Sequence, residues 1–286
     1  MRGIFQRILK GVGVGLIILA SIGMAVAQRL PPGGEKALET EESPKYHFVM
    51  IEYEGGSWDP SIPDTQKEMY DHAKYFIPNF LRWLNVKHKK SSPNENAGPL
   101  WSEEVSLLRL SDKRIFDCHM LFIAGHFDFT FSGKERDNLK EFLEKGGFLY
   151  IENCGGLSED TVTHKDHKTR GCFATRIKAE LKALFPEGEF KVLPFDHDIY
   201  QMPNKFPRGL PNIYGENNKG GFDPLESPKK KRKDRGGEGF YKGKQMIAFY
   251  SDADTCCEWV LNGKGPWKDI PFQIGENIVT YPMIHY

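Results

Sequence analysis

The sequence predicts an α/β fold built on a mainly parallel sheet. Strand-length apolar runs alternate with amphipathic stretches of about 12 residues, the pattern of βαβ units. At least four of these runs end in polar, chemically capable residues. Leu121–Gly125 leads into His126 and Asp128, and Phe148–Ile151 into Glu152-Asn153-Cys154. Phe190–Phe195 leads into Asp196-His197-Asp198, and Met246–Tyr250 into Ser251-Asp252-Ala253-Asp254. In parallel strands all four clusters fall on one sheet edge, where open α/β sheets bind ligands. The chain has 286 residues, 39% of them hydrophobic and 13% aromatic, enough for a sizeable core.

Tyr46–Tyr53 is rich in β-branched and aromatic residues and reads as the first strand, ending in the turn-forming stretch Glu54–Pro60. Met69, Ala73, Phe76, Ile77, Phe80 and Leu84 follow the spacing of one helix face, with Pro78 implying a kink or a late start. After a polar loop over 87–99, Val105–Leu110 and His119–Gly125 supply two more strands. Ser132 and Glu135 have capping-box spacing, Leu139, Phe142 and Leu143 form an apolar face, and Gly146-Gly147 stops that helix. Phe148–Ile151 is a buried strand. Cys172, Phe173, Ile177, Leu181, Leu184 and Phe185 mark another helix, ended by Pro186 before the strand Phe190–Phe195. Residues 202–241 are rich in Gly, Pro, Asn and Lys and nearly aperiodic, the mark of a functional loop or an irregular insert, here placed at about 202–243. Gln245–Tyr250 returns to strand, and the apolar stretch Glu276–His285 fits either helix or strand.

Arg2, Arg7 and Lys10 precede the uncharged run Gly11–Ala27, and Ala25-Val26-Ala27 fits a small-x-small cleavage site. Residues 1–27 therefore read as a signal peptide, with a retained N-terminal anchor as the alternative, since 17 uncharged residues stand at the lower limit for a span. Either way residues 45–286 form an exported domain, periplasmic or in the cell envelope, after a flexible linker over 28–44. Lys and Arg number 39, as do Asp and Glu, so net charge points to no nucleic-acid partner. Membrane contact is expected only through an uncleaved N-terminus. Five cysteines, Cys118, Cys154, Cys172, Cys256 and Cys257, are too few for a disulfide scaffold and leave at least one unpaired. Adjacent Cys256 and Cys257 are poorly placed to pair with each other, and one of them could pair with Cys154 or Cys172.

Several segments in order resemble the bacterial Domain of Unknown Function 4159 family. They include Tyr53–Trp58, Phe122–His126, Phe142–Tyr150, Leu184–Pro186, Leu193–Tyr200, Gly209–Pro211 and Gly275–Tyr281. The resemblance implies a flavodoxin-like three-layer fold with a mainly parallel sheet, like that of class I glutamine amidotransferases. It implies no activity. Two features depart from the family pattern: the insert around Ser227–Gly239, and Glu152-Asn153-Cys154, where paired acidic residues are common.

The expected function is binding of a small or carbohydrate-like ligand at the carboxyl ends of the strands. Trp58, His126, Asn153, Asp196, His197 and Asp254 are its candidate residues. A hydrolase or transferase in the same cleft is the alternative. Cys154 would then be the nucleophile and His197 its base, in a turn similar to the amidotransferase nucleophile turn, although Glu152 replaces the glycine of that motif. A divalent metal is the other route, with His126, Asp196 and His197 as leading ligands and Asp128, Glu152, Asp252 and Asp254 nearby, because imidazole and carboxylate suit zinc, manganese or iron. Trp58, Tyr200, Tyr214, Phe222, Trp259 and Trp267 are loop-borne aromatics that either face a ligand or pack over the core. The basic run Lys229–Arg235 reads as a solvated loop or, in a third reading, as part of an envelope protein-interaction module.

Overall fold

The computed structural model describes residues 46–92, 98–154, 161–164, 167–210, 237–253, 255–259 and 269–286, with 161–164 and 167–171 as backbone alone. The N-terminal 45 residues, the basic run, Tyr214, Phe222, Asp254 and Trp267 lie outside them. In chain order the strands are β1 (Phe48–Glu52), β2 (Leu107–Arg109), β3 (Met120–Gly125), β4 (Phe148–Asn153), β5 (Thr161–His164), β6 (His167–Gly171), β7 (Glu189–Val192), β8 (Glu238–Lys242) and β9 (Gln245–Ser251). The helices are α1 (Pro63–Asp71), α2 (Ile77–Ser91), α3 (Gly133–Glu144), α4 (Phe173–Leu184), α5 (Thr255–Glu258) and α6 (Ile270–His285).

Seven strands form one sheet in the order β2-β1-β3-β4-β9-β8-β7, while β5 and β6 form a separate antiparallel pair. The first five are mutually parallel. β8 is antiparallel to both β9 and β7, so β7 regains the direction of the parallel set. The carboxyl ends of β3, β4, β7 and β9 thus lie on one edge. The architecture is α/β and mainly parallel, consistent with a flavodoxin-like fold.

All six residues of β3 and of β4 are buried, as strands covered on both faces must be. Phe122 and Tyr150 are register partners, as are Tyr150 and Phe249, so they share a face. Phe48 lies on the same face and meets Phe80 of α2 with ring centroids 5.9 Å apart, and Phe80 stacks on Trp259 at 4.2 Å. Trp259 in turn lies 6.1 Å from Phe122 and donates its indole N–H to Pro271 O at 3.0 Å. On the other face Phe173 of α4 packs against Tyr53 and Gly125. A bidentate ion pair from Arg136 to Glu180, at 2.8 and 2.9 Å, ties α3 to α4. Each fully buried Phe in these two interfaces contributes about 1.5–3 kcal/mol of transfer free energy.

Local signals explain most boundaries. Ser132 and Glu135 form the expected capping box. The second carboxylate oxygen of Glu135 accepts Glu54 N–H at 2.9 Å, so the cap also fixes the loop after β1. Between α1 and α2 the helix takes a π turn over His72–Phe76, in which Ile77 N–H donates to His72 O. Pro78 is the second residue of the resumed α-helix, in its first turn, where its missing donor is tolerated. The proline thus marks a change of helical register.

One expectation needed revision, and one open choice is decided. The aperiodic stretch ending at residue 241 contains β8, which pairs along its length with β9 and β7. Its flanking glycines disguise it as a loop, yet a Cβ on Gly237 would come within 2.4 Å of the Phe249 ring, and one on Gly239 within 2.4 Å of the Met246 sulfur. They are glycines because side chains from β9 already fill that space. The undecided stretch 276–285 is helix α6, which begins at Ile270.

Gly125 at the end of β3 gives a direct test. A Cβ there would sit 2.4 Å from the Tyr53 hydroxyl and 2.6 Å from the Phe173 ring, both buried, and the hydroxyl is held by Ala124 O at 3.0 Å. Gly125→Ala is expected to lower stability in urea denaturation by about 1–3 kcal/mol. Gly133→Ala, whose added carbon meets nothing within 4 Å, should be neutral or stabilising.

Candidate functional site

The strand order reverses around β1: β2 lies on one side of it and β3 on the other. In open α/β sheets the crevice beyond such a reversal is the favoured ligand site. Here the two loops that leave it are joined. Gly55 and Gly56, with φ of 76° and 56°, turn the chain sharply after β1 and present Ser57. Ser57 Oγ accepts the backbone N–H of His126 at 2.7 Å, and both residues are buried. His126 Nε2 lies 3.4 Å from a carboxylate oxygen of Glu68, on α1. The imidazole is 11% exposed and the Glu68 side chain 40%, so solvent reaches the pair from the helix side. Trp58 follows Ser57 in the same loop. Its ring is buried edge-on against Tyr70 at 5.3 Å, and its indole N–H has no acceptor among the described residues.

A second group lies on the neighbouring strand ends. His72, Cys154, Cys256 and Cys257 each offer a donor atom, and these atoms all lie within 4.8 Å of one another. Cys154 follows β4 and donates its N–H to Gly125 O at 3.1 Å, which fixes it beside the end of β3. Cys256 and Cys257 lie on α5, just beyond β9. His72 occupies the first position of the π turn and is wholly buried. Its Nδ1 lies 2.7 Å from Glu68 O and its Nε2 3.3 Å from Cys257 Sγ. Cys154 and Cys256 bring their sulfurs to 3.9 Å. Burial, then its two thiol neighbours, push the Cys256 thiol well above its ordinary value. The contact with Cys154 and burial raise Cys257, against hydrogen bonds with Cys256 and His72. Burial pulls His72 down, but its contacts with Cys257 and Glu68 outweigh it and leave the imidazole raised. Left protonated, Cys256 and Cys257 are poor nucleophiles.

Below this group Glu152 points into the sheet with no exposed surface. The Tyr150 hydroxyl donates to one carboxylate oxygen and Ser251 Oγ to the other, the latter at 2.8 Å. Burial raises its pKa to about 7 although these donors oppose the shift. Ser251 Oγ also accepts Ala253 N–H at 3.1 Å, continuing the network into the loop after β9.

A family model described as Domain of unknown function (DUF4159) matches residues 47–283. The chain belongs to this family. No curated protein matches it.

Within this DUF4159 domain the sequence-derived candidates separate into groups. His126 and Trp58 both lie at the strand-order reversal, linked through Ser57. Asn153 is buried at the end of β4, in register with Gly125. Asp128 is held by Arg176 in a bidentate pair at 2.5 and 3.1 Å. Asp196 is exposed in the turn after β7. His197 accepts Ile199 N–H on Nδ1 at 3.3 Å, meets the Tyr241 hydroxyl with Nε2 at 3.3 Å, and packs on Tyr281. Desolvation lowers its pKa, against the pull of Asp198. The imidazole grouped with the Cys154 thiol is that of His72. Tyr200 and Trp259 are fully buried in the core, and Asp254 lies outside the described residues.

Sequence reasoning passed over Glu68 and His72. A histidine between Met69 and Ala73 on the apolar face of a helix was the available signal, because such a position must give the ring polar partners.

Ser57→Ala removes the acceptor of a buried N–H. Loss of about 1–3 kcal/mol in chemical denaturation is expected, with Ser57→Thr retaining most of it if the extra methyl is accommodated.

Proposed function

We propose that this DUF4159 domain binds a small, carbohydrate-like ligand at the carboxyl edge of its sheet, in the crevice between the loops after β1 and β3. The observation that carries the reading is the His126–Glu68 contact at the reversal of strand order. It places an imidazole and a carboxylate, both able to bond hydroxyl groups, where α/β sheets hold their ligands. The buried Trp58 indole N–H supports it, since a donor without a protein acceptor costs about 1–3 kcal/mol unless something else accepts it. The charge pattern of the N-terminus supports placement outside the cytoplasm. Among the described residues no helix is long and apolar enough to cross a membrane.

The same pair supports a second reading. An imidazole held by a carboxylate is the arrangement of a general base: Glu68 would hold His126 Nε2–H, and Nδ1 would take the proton of a ligand hydroxyl or water. Hydrolysis or group transfer in this crevice would then use His126 as base and Glu68 as the group that orients it.

A thermal-shift panel of neutral mono- and oligosaccharides tests the first reading. A stabilising sugar is expected, and His126→Gln and Glu68→Gln should each weaken it by at least about tenfold, or about 1.4 kcal/mol, with little change in the unliganded midpoint. A panel without a hit, or a hit indifferent to both substitutions, would count against this crevice.

A further inference from the structure

We propose that His72, Cys154, Cys256 and Cys257 form a closed tetrahedral centre for a soft divalent ion of the zinc class. The inference goes beyond the ligand reading, because neither His126 nor the Glu68 carboxylate is a donor in it.

Geometry comes first. A tetrahedral ion with metal–sulfur bonds of about 2.3 Å and metal–nitrogen bonds of about 2.0 Å separates its sulfurs by about 3.8 Å and sulfur from nitrogen by about 3.5 Å. The Cys154–Cys256 sulfurs stand at 3.9 Å and His72 Nε2 to Cys257 Sγ at 3.3 Å, with all four donors inside 4.8 Å. A Cys154–Cys256 disulfide would require closure from 3.9 Å to about 2.0 Å.

The histidine is oriented as a ligand. Its Nδ1 N–H is satisfied by the Glu68 carbonyl at 2.7 Å, which fixes the tautomer and leaves the Nε2 lone pair facing the sulfurs. A backbone carbonyl in this role is the usual outer partner of a metal-bound imidazole.

Donor chemistry selects the ion. Three sulfurs and one imidazole suit zinc, while magnesium and calcium require the oxygen donors this set lacks. Binding converts three thiols to thiolates and releases their protons to solvent. His72, Cys154 and Cys256 are buried and Cys257 is half-buried, so all four positions are filled by protein. Such a closed set is structural. It would clamp the π turn, the end of β4 and the helix beyond β9 together, holding α1 so that Glu68 faces His126.

The test uses the full-length chain, purified under reducing conditions without chelator. Metal analysis is expected to find about one zinc per chain, as a four-donor site requires. Cobalt exchanged into the protein should show the intense visible bands of a tetrahedral site and a thiolate-to-cobalt charge-transfer band, both removed by zinc. Cys154→Ser and Cys257→Ser should weaken zinc, measured against a chromophoric chelator, by more than the roughly 10–100-fold that loss of an outer partner costs. Should either variant fail to fold, the cobalt spectrum of the unaltered chain decides alone. His126→Gln and Glu68→Gln should leave that spectrum in place, which separates this centre from the sugar site. Reduced protein that takes up neither zinc nor cobalt while all its thiols react freely would overturn the proposal. So would a cobalt spectrum without the thiolate band.

Discussion

Burial of β3 and β4 on both faces is the constraint from which the rest follows. A parallel strand in the middle of a sheet has no solvent-facing side, so both its faces must be roofed by helices. α2 and the Trp259 region cover one face, and α4, tied to α3, covers the other. With the middle of these two strands apolar, polar chemistry is driven to the strand ends. Glu152 is the instructive exception. It remains inside only because a tyrosine and a serine both donate to it, and it titrates near neutrality because burial still outweighs them.

Much of this was legible in the sequence. The strands from 46 to 151 and the helix at 173–184 came from apolar periodicity, and the capping box from two residues at the right spacing. These signals are local, and the tertiary structure agrees with them. What escaped were elements whose residues answer to distant neighbours. β8 carries glycines because β9 crowds it, so it lacks the usual strand composition. α6 is apolar on nearly every side because it is largely enclosed, which erases the periodicity that distinguishes helix from strand.

The site divides in the same way. The edge was readable, because strand ends can be located without knowing what they face. The partners were not. His126 meets a glutamate from a helix 58 residues earlier, and His72 meets a cysteine 185 residues later. No motif links such positions. Cys154 was singled out for the turn it occupies, yet its surroundings are set by α5 and by a helix joint marked in sequence only by Pro78.

One modest hydrogen bond has a wider consequence. Leu193 N–H donates to Gly237 O at 3.0 Å, just past the end of β7 and just before β8. The bond joins the two ends of a 43-residue connection, of which 194–210 are described, on the edge that carries His126 and Cys154. Its first part is anchored in the domain, with Tyr200 fully buried and Asn204 N–H donating to Asn277 Oδ1 at 2.9 Å, and a connection closed at its base in this way can lengthen at only the slowly growing entropic cost of a larger loop. Changes in the length of such a connection therefore have little effect on the sheet that carries it.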